Sequence, residues 1–248
     1  MQYERNYFVH YYDADLKKRA LLTSLMRYFE DIAILQSEDA SVGLDYYTNN
    51  KVAWVLYKWD IEILNYPRFK DTIRVVTCPL AFAKFYAFRS FDIYSLSGEH
   101  MVKGGSMWFF VDMNTRRPAK IPQEVYDSYQ ITPADTKPLE IEDPKAPSGA
   151  TAYKTTFRVR QSDIDTNSHV NNIKYIEWAL EAIPLETFQG YTLRRIKVVY
   201  KKETVYGRMI DSSASEIRQG ENIIFRHKIS DGDVELCFIE TEWQPEIR

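Results

Sequence analysis

The stretch "QSDIDTNSHVNNIKYIEWALEAI" (161–183) falls into two halves. In its second half Ile173, Ile176, Leu180 and Ile183 recur at helical spacing, which predicts an amphipathic helix over 172–183. Its first half sets Asp163, Asp165, Asn167 and His169 two residues apart, so an extended backbone would point all four to one side. The same frame occurs 150 residues earlier, in "YDADLKKRALL" (12–22). There Asp13 and Asp15 stand for Asp163 and Asp165, but Lys17 replaces Asn167 and Arg19 replaces His169. A helix follows here too, with Leu22, Leu25, Met26, Phe29, Ile32, Ala33 and Gln36 in register.

Outward from the two helices the chain repeats itself. After the first come alternating runs at 52–64, 71–78, 84–96 and 100–113, with "SGE" (97–99) as a hairpin turn. The second helix is preceded by "YKTTFRVR" (153–160) and followed by runs at 191–205, 209–218, 222–230 and 233–243, with "QGEN" and "SDGD" at the turns. Strand, helix and four strands are thus written twice. A helix cannot bury its apolar stripe alone, and a curved antiparallel sheet can cover it. The expected class is α+β, two tandem units of a long helix wrapped by an antiparallel sheet, over residues 1–130 and 153–248. The Pro-, Asp- and Lys-rich segment 131–152 reads as the linker between them.

Composition agrees. The 248 residues are 45% hydrophobic and 27% charged, as in globular chains, and the 15% aromatic share favours strands. A net charge of -3 gives no general basic field for nucleic acid. The first residues lack an apolar leader core and no segment approaches the ~20 apolar residues of a membrane span, so a cytoplasmic protein is expected. Cys78 and Cys237 lie far apart in strand-like runs, which suggests buried inert thiols rather than a disulfide or zinc site.

The polar half of the opening stretch has several readings. D-x-D-x-N begins a calcium loop, but with Asp163 at position 1 the required Gly is Ser168 and the required Glu is Lys174. A transition-metal site needs further His or Cys, and His10, His100 and His227 stand alone in strand-like contexts. Helix capping by Asn171 accounts for one or two polar residues and leaves His169 unexplained. Catalysis remains the other reading, and the residues alone leave it open.

The segment "DIDTNSHVNNIKYIEWALEAIP" (163–184) resembles the signature of the acyl-acyl-carrier-protein thioesterases of plant plastids and bacteria, and "VVYKKET" (198–204) resembles that family's downstream strand motif. "WDIEILNYPRFKDTI" (59–73) and "GSMWFFVDMNTRRPAKIP" (105–122) are similar to its first domain, so the resemblance covers nearly the whole chain. It implies a tandem hotdog fold, a fatty-acyl thioester hydrolase without cofactor or metal, and a catalytic set on Asp165, Asn167, His169 and Glu203. The family often carries a Cys after the Glu, and here that position is Thr204. A Thr hydroxyl needs a dedicated base to act as a nucleophile, so direct attack by water is favoured.

Under this resemblance Glu203 and His169 would activate the water, Asn167 would hold water or carbonyl, and Asp165 would fix the loop. Backbone N–H groups opening the 172–183 helix are natural oxyanion donors. The first unit, with Lys17, Arg19 and Tyr66 at the corresponding places, would instead shape an acyl pocket lined by Met26, Phe29, Trp54 or Trp59. The partner, an acidic acyl carrier protein, calls for a local basic patch, for which Lys17, Lys18, Arg19, Arg116, Arg117, Arg194 and Arg195 are candidates. An acyl-CoA thioesterase and a non-cleaving acyl-thioester-binding protein are the alternatives. Chain length and the choice between monomer and homodimer are not written in these residues.

Overall fold

The computed structural model describes residues 1–132, 138–147, 151–166 and 168–246. The chain divides into two compact units, one of residues 1–57 and 63–141, the other of residues 58–62 and 142–248.

In the first unit, strand β1 (Tyr3–Phe8) leads through a single 3-10 turn at Tyr11–Asp13 into helix α1 (Leu22–Asp39), then helix α2 (Leu44–Asn50). Strands β2 (Val52–Ile63), β3 (Thr72–Ala83), β4 (Tyr86–Ser95) and β5 (His100–Asp112) follow, closed by a two-residue β6 (Arg117–Pro118) and helix α3 (Gln123–Ser128). The order across the sheet is β1-β3-β4-β5-β2. Helix α1 packs on β1 and β3. It buries Leu22, Leu25, Met26, Phe29, Ile32 and Gln36, the stripe read from the sequence. Phe29 meets Phe91 of β4 with ring centroids 4.9 Å apart. Each such side chain taken wholly out of water contributes about 1.5–3 kcal/mol. A second apolar cluster joins Phe82, Phe110, Val125, Tyr129 and Ile131, with Trp54 against it.

The second unit repeats this plan with strand β7 (Tyr153–Arg158), a 3-10 turn at Gln161–Asp163, helices α4 (Asn172–Glu181) and α5 (Leu185–Gly190), and strands β8 (Tyr191–Tyr200), β9 (Met209–Gln219), β10 (Asn222–Asp231) and β11 (Val234–Pro245). Its order is β7-β9-β10-β11-β8, the same permutation as in the first unit. Helix α4 lies on β9, β10 and β11 and buries Ile173, Tyr175, Ile176, Trp178 and Ala179.

Several details depart from the pattern. The run expected as one strand over 191–205 ends at Tyr200, where Lys201 and Lys202 both turn their N–H groups to the Leu236 carbonyl. Glu203 therefore sits on a loop, not on a strand. Residues 58–62 of β2 pair with β8, Trp59 opposite Val198, and belong to the second unit. Within the expected linker, Leu139 packs so closely on Gly105 of β5 that a Cβ there would meet its Cδ2 at 2.3 Å, which is why a strand interior tolerates glycine here. Cys237 is buried and its thiol pKa pushed up by that burial, whereas Cys78 is only half-buried.

Candidate active site

The described residues of 161–171 curl rather than run extended. After the 3-10 turn, Asp165 donates its N–H to the His169 carbonyl (2.8 Å), Ser168 donates to the Asp165 carbonyl (3.1 Å), and Asn171 donates to the Asp163 carbonyl (2.9 Å). Ser168 takes the left-handed conformation this turn requires, at φ 66°. Asp163, Asp165 and His169 are consequently not displayed on one side. Asp163 points inward and is fully buried, accepting the Arg160 backbone N–H (2.8 Å) and two guanidinium contacts (2.8 and 3.2 Å). Burial pushes its pKa up, but the side-chain and backbone hydrogen bonds of Arg160, with its charge and that of Lys174, outweigh this and hold it below the usual carboxylate range. Asp163 is a structural anchor of the loop.

Asp165 and His169 remain at the surface of the turn, and the Asp165 Oδ1 accepts the His169 backbone N–H at 3.3 Å. Asn167, which the sequence placed between them, lies outside the described residues. One bond brings Glu203 to this loop: Val170 donates its N–H to the Thr204 carbonyl at 3.0 Å. The residues just before each partner, His169 and Glu203, then face one another, with Nε2 and Oε1 3.2 Å apart. The imidazole is 20% exposed and the carboxylate 51%, so both are open to an entering molecule. Thr204 itself is buried.

Beneath the pair sits a residue the sequence reading passed over. Tyr175 of α4 is buried, against Trp178 and Tyr200 at centroid distances of 5.5 and 5.8 Å. Its phenol pKa is raised, first by burial and then by Cys237 and the nearby Glu203 and Asp165, with the Thr204 backbone amide opposing. Its position in the frame corresponds to Leu25, so the only available signal was a polar atom on an otherwise apolar helix face. The expected oxyanion donors are fewer than the sequence suggested. Asn171 caps α4 by accepting the Ile173 N–H on its side chain (2.9 Å), and its carbonyl accepts the Lys174 N–H (2.9 Å).

The first unit builds the same loop around different chemistry. Asp15 donates to the Arg19 carbonyl (2.8 Å), Lys18 donates to the Asp15 carbonyl (2.9 Å) from φ 60°, and Leu21 donates to the Asp13 carbonyl (2.8 Å). Ala20 donates to the Pro67 carbonyl (2.7 Å), as Val170 does to that of Thr204, which puts Tyr66 where Glu203 stands. The Arg19 guanidinium lies 5.1 Å from the Tyr66 ring centroid and 3.0 Å from Asp15.

The other candidates scatter. Met26 and Phe29 are buried on α1, while Trp54 belongs to the separate aromatic cluster and gives its Nε1 hydrogen to the Tyr47 hydroxyl (3.0 Å). Trp59 is buried in the 58–62 stretch of the second unit. Among the basic candidates Arg19 is paired with Asp15, and Arg195 is held bidentately by Asp60 at 2.9 and 2.7 Å. Arg194 is half-buried beside it, and Lys197 of the same run reaches Glu142, Glu240 and Glu242. The run 194–197 is thus largely an internal ion-pair network, not an open patch. Lys18, Arg116 and Arg117 are exposed, and Lys17 is half-buried.

The helix-and-sheet unit built twice, with a polar loop against the second helix, defines an α+β tandem hotdog protein. Residues 1–129 match the acyl-ACP thioesterase N-terminal domain and residues 148–245 the C-terminal domain, so the chain belongs to the acyl-ACP thioesterase family. It is similar to a chloroplastic acyl-[acyl-carrier-protein] hydrolase of Cuphea viscosissima, 25% identical over 99% of this chain. The chain spans 63% of that relative's length. A solved structure from Lactobacillus plantarum, assigned as an oleoyl thioesterase, shares the fold at TM-score 0.94 and 24% identity, covering 100% of this chain and 98% of its own. The 12:0-ACP thioesterase of Umbellularia californica does so at TM-score 0.83 and 20% identity, covering 99% and 94%.

Proposed function

We propose that this chain hydrolyses fatty-acyl thioesters carried on acyl carrier protein, releasing a free fatty acid and the carrier thiol. The observation that carries the reading is the His169–Glu203 contact on the second loop, in a chain of this family. With the Nε2–H donated to Glu203, the neutral imidazole keeps its lone pair on Nδ1, where it serves as general base toward a water. Water attacks the thioester carbonyl carbon, its proton passes to His169, and the C–S bond breaks as the proton is returned to the leaving thiolate. Glu203 orients the ring and stabilises the imidazolium that forms. Asp165 holds the turn that carries His169. Asn167, by its place in the motif, binds the water or the carbonyl, and it shares the developing oxyanion with the Asn172 N–H at the positive end of α4. Thr204 forms no covalent intermediate, being buried below the pair. The first unit contributes the acyl pocket, and Arg116 and Arg117 offer exposed charge to an acidic carrier.

The test is hydrolysis of a series of medium- to long-chain acyl groups, each on carrier protein and on CoA. Preference for the carrier-linked series, with kcat/KM falling steeply as salt is added, supports the reading. Equal rates and equal salt response on CoA make it a CoA thioesterase. Binding without turnover removes hydrolysis altogether.

A further inference from the structure

The first-unit loop that lacks the catalytic set presents something else. Tyr11, Tyr12 and Leu16 are 82, 74 and 76% exposed, so most of each side chain is open to solvent. At the corresponding places the second loop has Gln161, Ser162 and Thr166, which shows that the backbone does not require apolar residues there. A neighbouring segment completes the surface. Phe69 donates its N–H to the Lys18 carbonyl (2.9 Å) and Lys70 donates to the Val9 carbonyl (3.0 Å), so the two loops are stitched into one face. Across it the Tyr11 and Phe69 rings meet edge to face at 6.0 Å, and the Lys70 ammonium lies 5.4 Å from the Phe69 ring centroid.

The charge on this face is one-sided. Residues 10–20 and 66–71 carry Lys17, Lys18, Arg19, Arg68 and Lys70 against Asp13, Asp15 and Asp71. Of the acids, Asp13 is buried and accepts the His10 N–H, Asp15 is paired with Arg19, and Asp71 accepts the Arg68 N–H. Lys18, Arg68 and Lys70 are exposed. Protruding tyrosine and leucine tips ringed by cations suit the boundary layer of a bilayer, where amphipathic rings and aliphatic tips enter and cations meet headgroups. A rigid protein partner instead calls for anchors seated in well-packed pockets.

We propose that this face binds reversibly to an anionic lipid bilayer, the silent loop having become a membrane-contact surface. The binding involves no spanning segment: among the described residues no helix is long and apolar enough to cross a membrane. It also does not depend on the chain being a hydrolase.

The experiment is co-sedimentation of the full chain with vesicles of phosphatidylcholine, with and without phosphatidylglycerol. Binding is expected to the anionic vesicles and to weaken with added salt. The triple variant Tyr11→Ser/Tyr12→Ser/Leu16→Ser is expected to lose partitioning on the order of 100-fold with an unchanged melting temperature. Arg68→Gln and Lys70→Gln are each expected to cost about fivefold, one surface charge apiece. Val205→Ser/Tyr206→Ser, which removes exposed apolar side chains from the second unit, is expected to bind like the unaltered chain. Three results overturn the proposal: no co-sedimentation, equal binding by the triple variant, or tips that matter only elsewhere. The last is read from light scattering, where loss of a dimer in the triple variant assigns the face to self-association, or from kinetics, where loss of turnover on carrier-linked substrate without vesicle binding assigns it to an acidic protein.

Discussion

The loops at 11–21 and 161–171 form the same turns through the same backbone bonds, down to a left-handed residue at Lys18 and Ser168. Each is tied to a second segment by a matching bond, to Pro67 in the first unit and Thr204 in the second. What differs is the pair that this bond presents. In the second unit it is an imidazole against a carboxylate, a ring nitrogen that can take a proton and an acceptor that can orient it. In the first it is a guanidinium over a phenol ring, with the guanidinium held by Asp15, and a guanidinium offers donors only. Architecture and chemistry are therefore separable here: the backbone supplies proximity, and a few side chains decide whether anything reacts.

The sharpest way to break this contrast is at the pairs themselves. His169→Ala and Glu203→Ala are each expected to lower kcat at least ~100-fold with an unchanged circular-dichroism melt, whereas Tyr66→Ala in the first loop should leave kcat within about twofold. Near-normal turnover in either second-loop variant would remove the assignment.

A second contrast lies in the cores. Thr77 pairs with Phe91 in β3 and β4, and Ala214 pairs with His227 in β9 and β10, so His227 takes in the second unit the place Phe91 has in the first. His227 is fully buried, meets the Thr241 hydroxyl at 3.1 Å, and burial pushes its pKa down to about 3. Its folded pKa lies below the unfolded value, so the unfolded chain binds more protons as pH falls from ~6.5 toward ~3, and stability drops over that window. The loss amounts to about 2 kcal/mol by pH 5. His227→Phe should flatten this part of the profile in denaturant titrations run at pH 7 and pH 5. A slope that persists unchanged would place its origin elsewhere.

Smaller effects are expected at the buried loop acids. Asp163→Asn gives up the Arg160 ion pair and should cost about 1–2 kcal/mol. Asp13→Asn, whose partner at the same place is the His10 N–H, should cost about half as much in the same melts. The Asp163 pKa is depressed by folding, so its contribution is fully present above the ordinary Asp value and disappears as pH falls through the lowered one. The difference between the two variants should therefore shrink in acid. Least affected should be Thr204→Ala, with kcat within about threefold, whereas a loss as large as that of His169→Ala would restore a nucleophilic role.

The duplicated α+β plan was legible because helical and alternating periodicities differ, and because the Asp frame recurs at a fixed spacing. Chain-internal ends were less so. "KKET" continues the alternation past Tyr200, and nothing local reveals that Lys201 and Lys202 turn to Leu236. Helices α2, α3 and α5, each of six or seven residues, are too short for a periodic signal. At the site, Asp163 and Asp165 look alike in sequence, yet one is buried under Arg160 and the other staples the turn, a difference set by backbone curl rather than spacing. The meeting of His169 with Glu203 depends on the long-range bond from Val170 to Thr204, which only the resemblance pointed to. The disposal of Arg195 and Lys197 into ion pairs with Asp60 and Glu142 was likewise hidden, because those carboxylates are remote in sequence.

The matched bonds of the first loop amount to an empty socket. Its wiring is intact at Asp13, Asp15, Ala20 and Pro67, and Lys17, Arg19 and Tyr66 stand where the proposed catalytic set has Asn167, His169 and Glu203. Installing Asn, His and Glu there asks for no new turn and no shift of register, so this chain is a natural starting point for a protein with two reaction centres on one scaffold.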